Sequence, residues 1–395
     1  MNGCSRHAVA ADVVFDGEKK HDDCAVVIEG QQIAALTRRS DLPSSMEVYN
    51  VPQGAWLAPG FIDIQVNGGG DVLFNAHPTP AALAKIAQAH RRYGVTSLLP
   101  TLITDSDEAM AAALGAVSAV MAREPGILGL HLEGPFLSPQ KPGVHRREFI
   151  RRPQPHHRQM LGAFRAGVLL VTLAPEETPD GFIAELVAAG AKVSLGHSMA
   201  TYEETRAAMA EGLTGFTHLF NAMRPLSARE PGPVAAALES PHAYYGMIVD
   251  GEHVAPAMLG LAMRGVGRPM LVSDAMPPVG GIKAEFDLLG ARIMVRDGSC
   301  RTQEGALAGS SIEMASAVRN CVRLLGLPLE QALRCASCHP AEFLGLGRSL
   351  GRLAPGYRAD MAAFDPTDIS VSNAWVAGER SDYRRGASLV GLSHS

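Results

Sequence analysis

Apolar runs of five to ten residues recur along the chain and alternate with Ala-rich stretches whose apolar positions fall three and four apart. Eight runs stand out, at 57–66, 95–100, 127–133, 168–173, 192–197, 215–219, 244–249 and 269–273. Between them, residues 80–93, 106–123, 180–189 and 201–211 have helical spacing, and Thr201 with Glu204 forms a capping-box pattern. Apolar strands separated by amphipathic helices predict an α/β chain with a parallel sheet of βα units. Eight of them predict a closed (β/α)8 TIM-like barrel. A doubly wound open sheet would more often have a Gly-rich phosphate loop opening a helix after its first strand. Gly68-Gly69-Gly70 has no helical run directly behind it and reads as a flexible loop at the barrel mouth.

The two ends of the chain have a different rhythm. Residues 11–15, 24–29, 32–36 and 46–51 read as short strands separated by turn signals such as Asp16-Gly17 and Glu29-Gly30. Strand character returns at 361–364, 369–371 and 374–376. The simplest organisation pairs both ends into one small β-sandwich. Residues 1–57 and 349–395 then form the small domain, and 58–348 form the barrel. After the eighth run, 286–295 and 299–302 flank Asp297-Gly298 and read as an inserted hairpin. Helices are expected at 310–325 and 328–334.

The length of 395 residues suits a large barrel plus something smaller, and 47% apolar with 19% charged residues is the composition of a globular core-forming chain. A net charge of −5 argues against a nucleic-acid partner. The basic stretch from Lys141 to Arg158 reads as a solvated loop and helix start. No apolar run approaches a transmembrane length, and residues 1–17 lack a secretory pattern, so a cytoplasmic location without membrane partners is expected. The six cysteines do not form a disulfide framework. Cys335-Ala336-Ser337-Cys338-His339 spells a c-type haem attachment string, but it closes a helical stretch ahead of Pro340 in a chain without an export signal. It reads as an ordinary helix end.

Four motifs at run ends hold the candidate chemistry. They are His131-Leu132-Glu133-Gly134-Pro135, Gly196-His197-Ser198, Thr217-His218-Leu219-Phe220-Asn221 and Val272-Ser273-Asp274-Ala275. In a parallel barrel all strand C-termini open on one face, so residues distant in sequence converge there. Glu133, His197 and His218 make a three-ligand set for a divalent metal that keeps an open position. Asp274 is left free to handle a proton. Its alternative, a helix N-cap, is spoiled by Pro277 and Pro278. His131 reads as strand packing, and His156, His157 and His339 as surface or loop residues.

Taken in order, these motifs resemble the amidohydrolase superfamily and, within it, the N-acetylglucosamine-6-phosphate deacetylase family, over nearly the full length. Further matching pieces are Pro59-Gly60-Phe61-Ile62-Asp63, Arg229-Glu230-Pro231-Gly232, Asp250-Gly251-x-His253 and the closing Gly351-Arg352-Leu353-Ala354-Pro355-Gly356-x-x-Ala359-Asp360. One departure is informative. Many superfamily members place His-x-His at the end of the first strand to hold another metal, whereas this chain has Gln65-Val66-Asn67. Neutral amides replace imidazoles poorly on a transition metal, so one metal per subunit is expected.

The resemblance implies hydrolysis of the acetamide of N-acetylglucosamine 6-phosphate. The metal on Glu133, His197 and His218 activates water, and Asp274 acts as general base and then as acid toward the leaving amine. It implies that His145 hydrogen-bonds the substrate near the amide oxygen. Arg229 and His253, with backbone groups of Asn221 and Ala222, bind the phosphate, while Gln65 and Asn67 line the substrate site. It also implies a homodimer or higher homo-oligomer in which some phosphate contacts cross subunits. Zn2+ suits the ligand set, as do Fe2+, Co2+ and Mn2+. Two rivals stand beside this reading: the galacto epimer as substrate, and a non-catalytic scaffold that keeps only the fold. The intact ligand set argues against the scaffold.

Overall fold

The structure, a computed structural model, describes residues 6–296 and 298–383. Eight parallel strands form the central sheet in chain order: Phe61–Val66, Val95–Ile103, Gly129–Glu133, Val168–Leu173, Lys192–Leu195, Gly215–Phe216, Tyr244–Met247 and Arg268–Leu271. The second strand is buried along its whole length, as expected of strands covered on both faces. The first and eighth strands share no continuous ladder. They meet through one parallel bridge, Val66 to Ala275, and through Asn67 N–H and Gly68 N–H donating to the Ala275 carbonyl at 2.9 and 3.0 Å. The result is a nearly closed barrel.

Helix starts follow the sequence. Thr79 and Ser106 cap Pro80–Arg91 and Asp107–Val120 through their side chains, and Thr201 with Glu204 closes the expected capping box of Tyr202–Ala210. One apolar core runs through barrel and helices, from Phe61 and Ile86 to Leu333 and Phe343. Among the described residues no helix is long and apolar enough to cross a membrane.

Several sequence expectations change in detail. The run at 57–66 is two strands: Trp56–Pro59 pairs with Arg6–Phe15 and Met361–Phe364, and the barrel begins at Phe61. The expected division at 57/58 therefore falls inside a strand of the small sheet, and residues 384–395 lie outside the described ones. Gly68-Gly69-Gly70 is not a flexible loop. Gly68–Gly69 pairs with Val72–Leu73, all three glycines are buried, and a Cβ at Gly68 would come within 2.4 Å of the Val72 carbonyl oxygen. The insert after the eighth strand has four antiparallel strands, Glu285–Leu288, Ala291–Arg296, Ser299–Arg301 and Leu307–Ser310, because the chain also turns at Leu289-Gly290. Asp297 of the expected turn lies outside the described residues. The Cys335–His339 string joins two helices, Leu329–Ala336 and Cys338–Phe343. Pro340 is tolerated in the first turn of the second helix, where its missing N–H costs nothing.

The small β-sandwich is a sheet that splits at the long strand Arg6–Phe15. Its first half pairs with Glu47–Asn50 and its second half with Trp56–Pro59. Lys20–Glu29 and Gln32–Arg38 extend one arm; Met361–Phe364, Val371–Val376 and Glu379–Asp382 extend the other. The arms enclose Val9, Val26, Ile28, Leu57, Met361 and Trp375, and the Tyr49 ring meets Trp375 edge-on at 5.8 Å. The closing segment ties this unit to the barrel. Arg358 donates to Ser97 Oγ at 2.6 Å and pairs with Asp360, whose carbonyl accepts Gly60 N–H.

Candidate active site

The strand ends deliver their residues to one place. Glu133 is the last residue of the third strand, His197 lies two beyond the fifth, His218 two beyond the sixth, and Asp274 three beyond the eighth. Three of these four leave the strand through left-handed backbone, with φ of 49° at His197, 32° at His218 and 50° at Asp274. Such conformations cost about 1–3 kcal/mol each and persist where neighbours enforce them, with Asp and His among the more tolerant residues. Each is enforced here. The His197 carbonyl accepts Ser138 N–H at 2.9 Å, Leu219 N–H donates to Gly246 at 2.8 Å, and the Asp274 carbonyl accepts Ser310 N–H at 2.9 Å.

Glu133 Oε1 lies 3.2 Å from His197 Nε2 and 2.9 Å from His218 Nε2, and the two nitrogens are 3.1 Å apart. His197 Nδ1 is 2.8 Å from the Lys141 carbonyl, which only accepts. Nδ1 therefore bears a proton, and in the neutral ring Nε2 turns its lone pair toward Glu133. With the ring neutral, these two facing acceptors are satisfied by a shared cation, a proton or a metal ion. Metal–ligand bonds of about 2.0–2.1 Å in a tetrahedral arrangement separate neighbouring donors by roughly 3.3 Å, close to the triangle observed. The residues fit a divalent metal. Burial pushes the Glu133 carboxyl up, but hydrogen bonds to His197 and His218 hold it well below the usual carboxylate range. Burial draws His218 down, and the Glu133 carboxylate more than reverses this.

Asp274 Oδ1 accepts from Asn67 Nδ2 at 2.7 Å and from Gln65 Nε2 at 3.2 Å; Gln65 Nε2 also lies 3.2 Å from Glu133 Oε2. The two amides therefore hold the two carboxylates. Burial, and then the charge of Glu133, push Asp274 up to about 6. His145 Nδ1 accepts from Thr104 N–H at 3.3 Å and lies 2.8 Å from Thr104 Oγ1. This fixes the tautomer with hydrogen on Nε2. Burial and the neighbouring His197 draw its pKa to about 3, so His145 is a neutral donor.

These residues surround a cavity of about 200 Å3 lined by Asn67, Glu133, His145, His197, His218, Asn221, Ala222, His253 and Asp274, with Ile103, Ile248, Met276, Leu307 and Gly309 among the walls. His253 Nδ1 bonds Asp250 Oδ2 at 2.6 Å. Burial raises the Asp250 carboxyl, but that bond and the nearby His253 bring it below its usual range. Two expected residues stand apart. Gln65 lies beneath the cavity among the barrel side chains, and Arg229 is exposed on the loop before the helix Gly232–Glu239. Asn221 N–H is taken by the His218 carbonyl at 3.0 Å.

Sequence reasoning misses several supports. Glu176 accepts from Ser198 Oγ at 2.7 Å and Met199 N–H at 2.5 Å, fixing the loop behind His197. His131 joins a buried polar chain: Nδ1 is 3.2 Å from Thr101 Oγ1, Nε2 is 2.7 Å from Thr172 Oγ1, and Thr217 Oγ1 continues it at 2.7 Å. Leu307 and Gly309 reach the cavity from the insert, which no spacing rule announces. His157 is not a surface residue. It is buried, its Nδ1 accepts Gln154 N–H at 2.8 Å, and its Nε2–H donates to Asp107 at 3.0 Å. With Arg151 already paired to Asp107, the Asp107–His156–His157 cluster ties a loop down and leaves no free His157 lone pair for a metal. His339 likewise bonds the Pro269 carbonyl at 2.7 Å.

Residues 56–385 match the amidohydrolase family model. An N-acetylgalactosamine-6-phosphate deacetylase of Shewanella sp. (strain ANA-3) is 41% identical over 363 residues, 91% of this chain and 91% of that protein. An N-acetylglucosamine-6-phosphate deacetylase of Haemophilus influenzae is 36% identical, covering 87% and 91%. The crystal structure of N-acetylglucosamine-6-phosphate deacetylase from Pasteurella multocida superposes with a TM-score of 0.92 at 35% identity, over 96% of this chain and all of that one. With a carboxylate and two imidazoles converging at the strand ends of its barrel, the chain belongs to the amidohydrolase family.

Proposed function

We propose that the protein hydrolyses the acetamide of N-acetyl-D-glucosamine 6-phosphate to glucosamine 6-phosphate and acetate. The observation that carries this reading is the meeting of Glu133, His197 and His218 with Asp274 in one cavity of a chain so similar to amino-sugar phosphate deacetylases. Glu133, His197 and His218 would hold one divalent ion, with Zn2+ the best match to their chemistry and Fe2+, Co2+ or Mn2+ as substitutes. Such an ion supplies Lewis acidity, acidifying water and polarising a carbonyl oxygen.

The chain's own residues do the rest. Asp274 takes a proton from the attacking water as the C–O bond forms, and delivers it to the nitrogen as the C–N bond breaks. The amine thus leaves neutral. Neutral His145 donates Nε2–H to the oxygen that gains charge. Asn67 and Gln65 keep the Asp274 carboxylate aimed. His253, held by Asp250, and the Asn221–Ala222 turn face the phosphate end, with Arg229 completing the anion site. Arg229 is exposed on its loop, which suits a homodimer whose second copy covers that loop. A cytoplasmic location goes with a phosphorylated substrate.

The 41% identity to a galactosamine-type relative favours a second reading, the galacto epimer. Side-by-side kcat/KM values on the two phosphorylated sugars test both. A higher value on the galacto sugar replaces the first reading by the second. No turnover of either sugar by protein holding one equivalent of metal refutes both.

A further inference from the structure

Between its first and eighth strands the barrel closes through a single backbone bridge in place of a ladder, and the Asp63 side chain adds a buried clasp across that seam. Asp63, in the first strand, is completely buried. Its Oδ1 accepts Ser273 N–H at 3.2 Å and Gln65 N–H at 3.3 Å, and its Oδ2 accepts the Ser273 hydroxyl. Ser273 precedes Asp274, and its Oγ accepts Ala275 N–H at 3.2 Å. The Ser273 carbonyl accepts Ser310 Oγ at 2.5 Å. The left-handed turn at Asp274 therefore sits between two clamps: Asp63 before it and Ser310 around it.

We propose that Asp63 is a positioning residue for the reaction. By gripping Ser273 from the opposite edge of the barrel seam, it fixes the backbone from which Asp274 reaches the cavity. A carboxylate suits this task because all three groups it meets are donors and it brings two acceptor oxygens. An amide would turn one N–H toward them. The seam is also where the barrel needs help: beyond Asp63 the strands share the Val66–Ala275 bridge, and no parallel ladder joins Phe61–Val66 to Arg268–Leu271. This inference rests on Asp274 being the proton carrier.

The test uses the metal-loaded full chain. Asp63→Asn and Ser273→Ala are compared with the parent and with Asp274→Asn for kcat, KM and metal content. Misplacing a catalytic group by a fraction of an ångström predicts a loss in kcat of roughly tenfold to a hundredfold, with KM within about twofold and metal content unchanged. The double variant should be no slower than the slower single one, since both changes open the same latch. If Asp63→Asn does not fold, Ser273→Ala alone decides. Parental kcat in Ser273→Ala overturns the proposal, as does a loss of kcat that only follows loss of metal. Full turnover in Asp274→Asn instead refutes the underlying role of Asp274, whatever the latch variants do.

Discussion

Asn67→Ala isolates one hydrogen bond to the proton carrier. Burial and the Glu133 charge already push Asp274 up to about 6, and Asn67 Nδ2, 2.7 Å from Oδ1, opposes this by favouring the ionised form. A hydrogen bond to a charged group contributes about 1.5–3 kcal/mol. Gln65 remains at 3.2 Å and water can enter where Asn67 lines the cavity, so the lower end applies. At about 1.4 kcal/mol per unit, the Asp274 pKa should rise by about one unit. Asp274 acts as a base only when ionised, so activity is lost as pH falls through its pKa. The acidic limb of log kcat/KM against pH should therefore move upward by about one unit in the variant. A bound cation lowers the limb in parent and variant alike, which leaves the difference as the readout. A limb that stays in place, or moves to lower pH, would refute the assignment, whatever happens to the plateau.

Asp274→Asn should retain metal, measured by elemental analysis, and bind substrate while losing most of kcat; near-parental turnover would contradict its role. Arg229→Ala should raise KM for the phosphorylated sugar far more than for unphosphorylated N-acetylglucosamine, and equal effects would remove Arg229 from the anion site. Chelation should abolish activity and lower the thermal midpoint, because a ligand at a thousand times its Kd contributes about 4 kcal/mol to the native state. Restoring Zn2+ should recover both, and an unchanged midpoint on chelation would argue against a cation between Glu133, His197 and His218.

What the sequence makes legible follows from how locally each feature is encoded. The eight strands show as apolar runs, and Thr201 with Glu204 marks a helix start, since both signals lie within a few residues. Glu133, His197, His218 and Asp274 are readable because barrel topology alone brings strand ends together. The second layer is not. Glu176, Thr104 and Asp63 act through partners 22, 41 and 210 residues away; a local motif marks Asp63, but nothing local reveals any of these partners. Leu307 and Gly309 reach the cavity only because the insert folds back as four strands. His157 looks exposed within a basic stretch, yet Gln154 and Asp107 draw it inside. Gln65 and Asn67 are read from the resemblance as lining the substrate site; Asn67 lines the cavity, and the amides of both also bond Asp274, with Gln65 reaching Glu133, which the sequence does not reveal.

The strand Trp56–Pro59 lies between Arg6–Phe15 and Met361–Phe364, and its partner on the second side follows about 300 residues later. At a synthesis rate of about 5–20 residues per second, that edge waits roughly 15–60 s for its mate on the ribosome. Throughout that interval Leu57 and the apolar strand beside it present open hydrogen-bonding groups to any passing chain. In the cell, this edge leaves a nascent molecule open to capture by a chaperone or by another copy of itself.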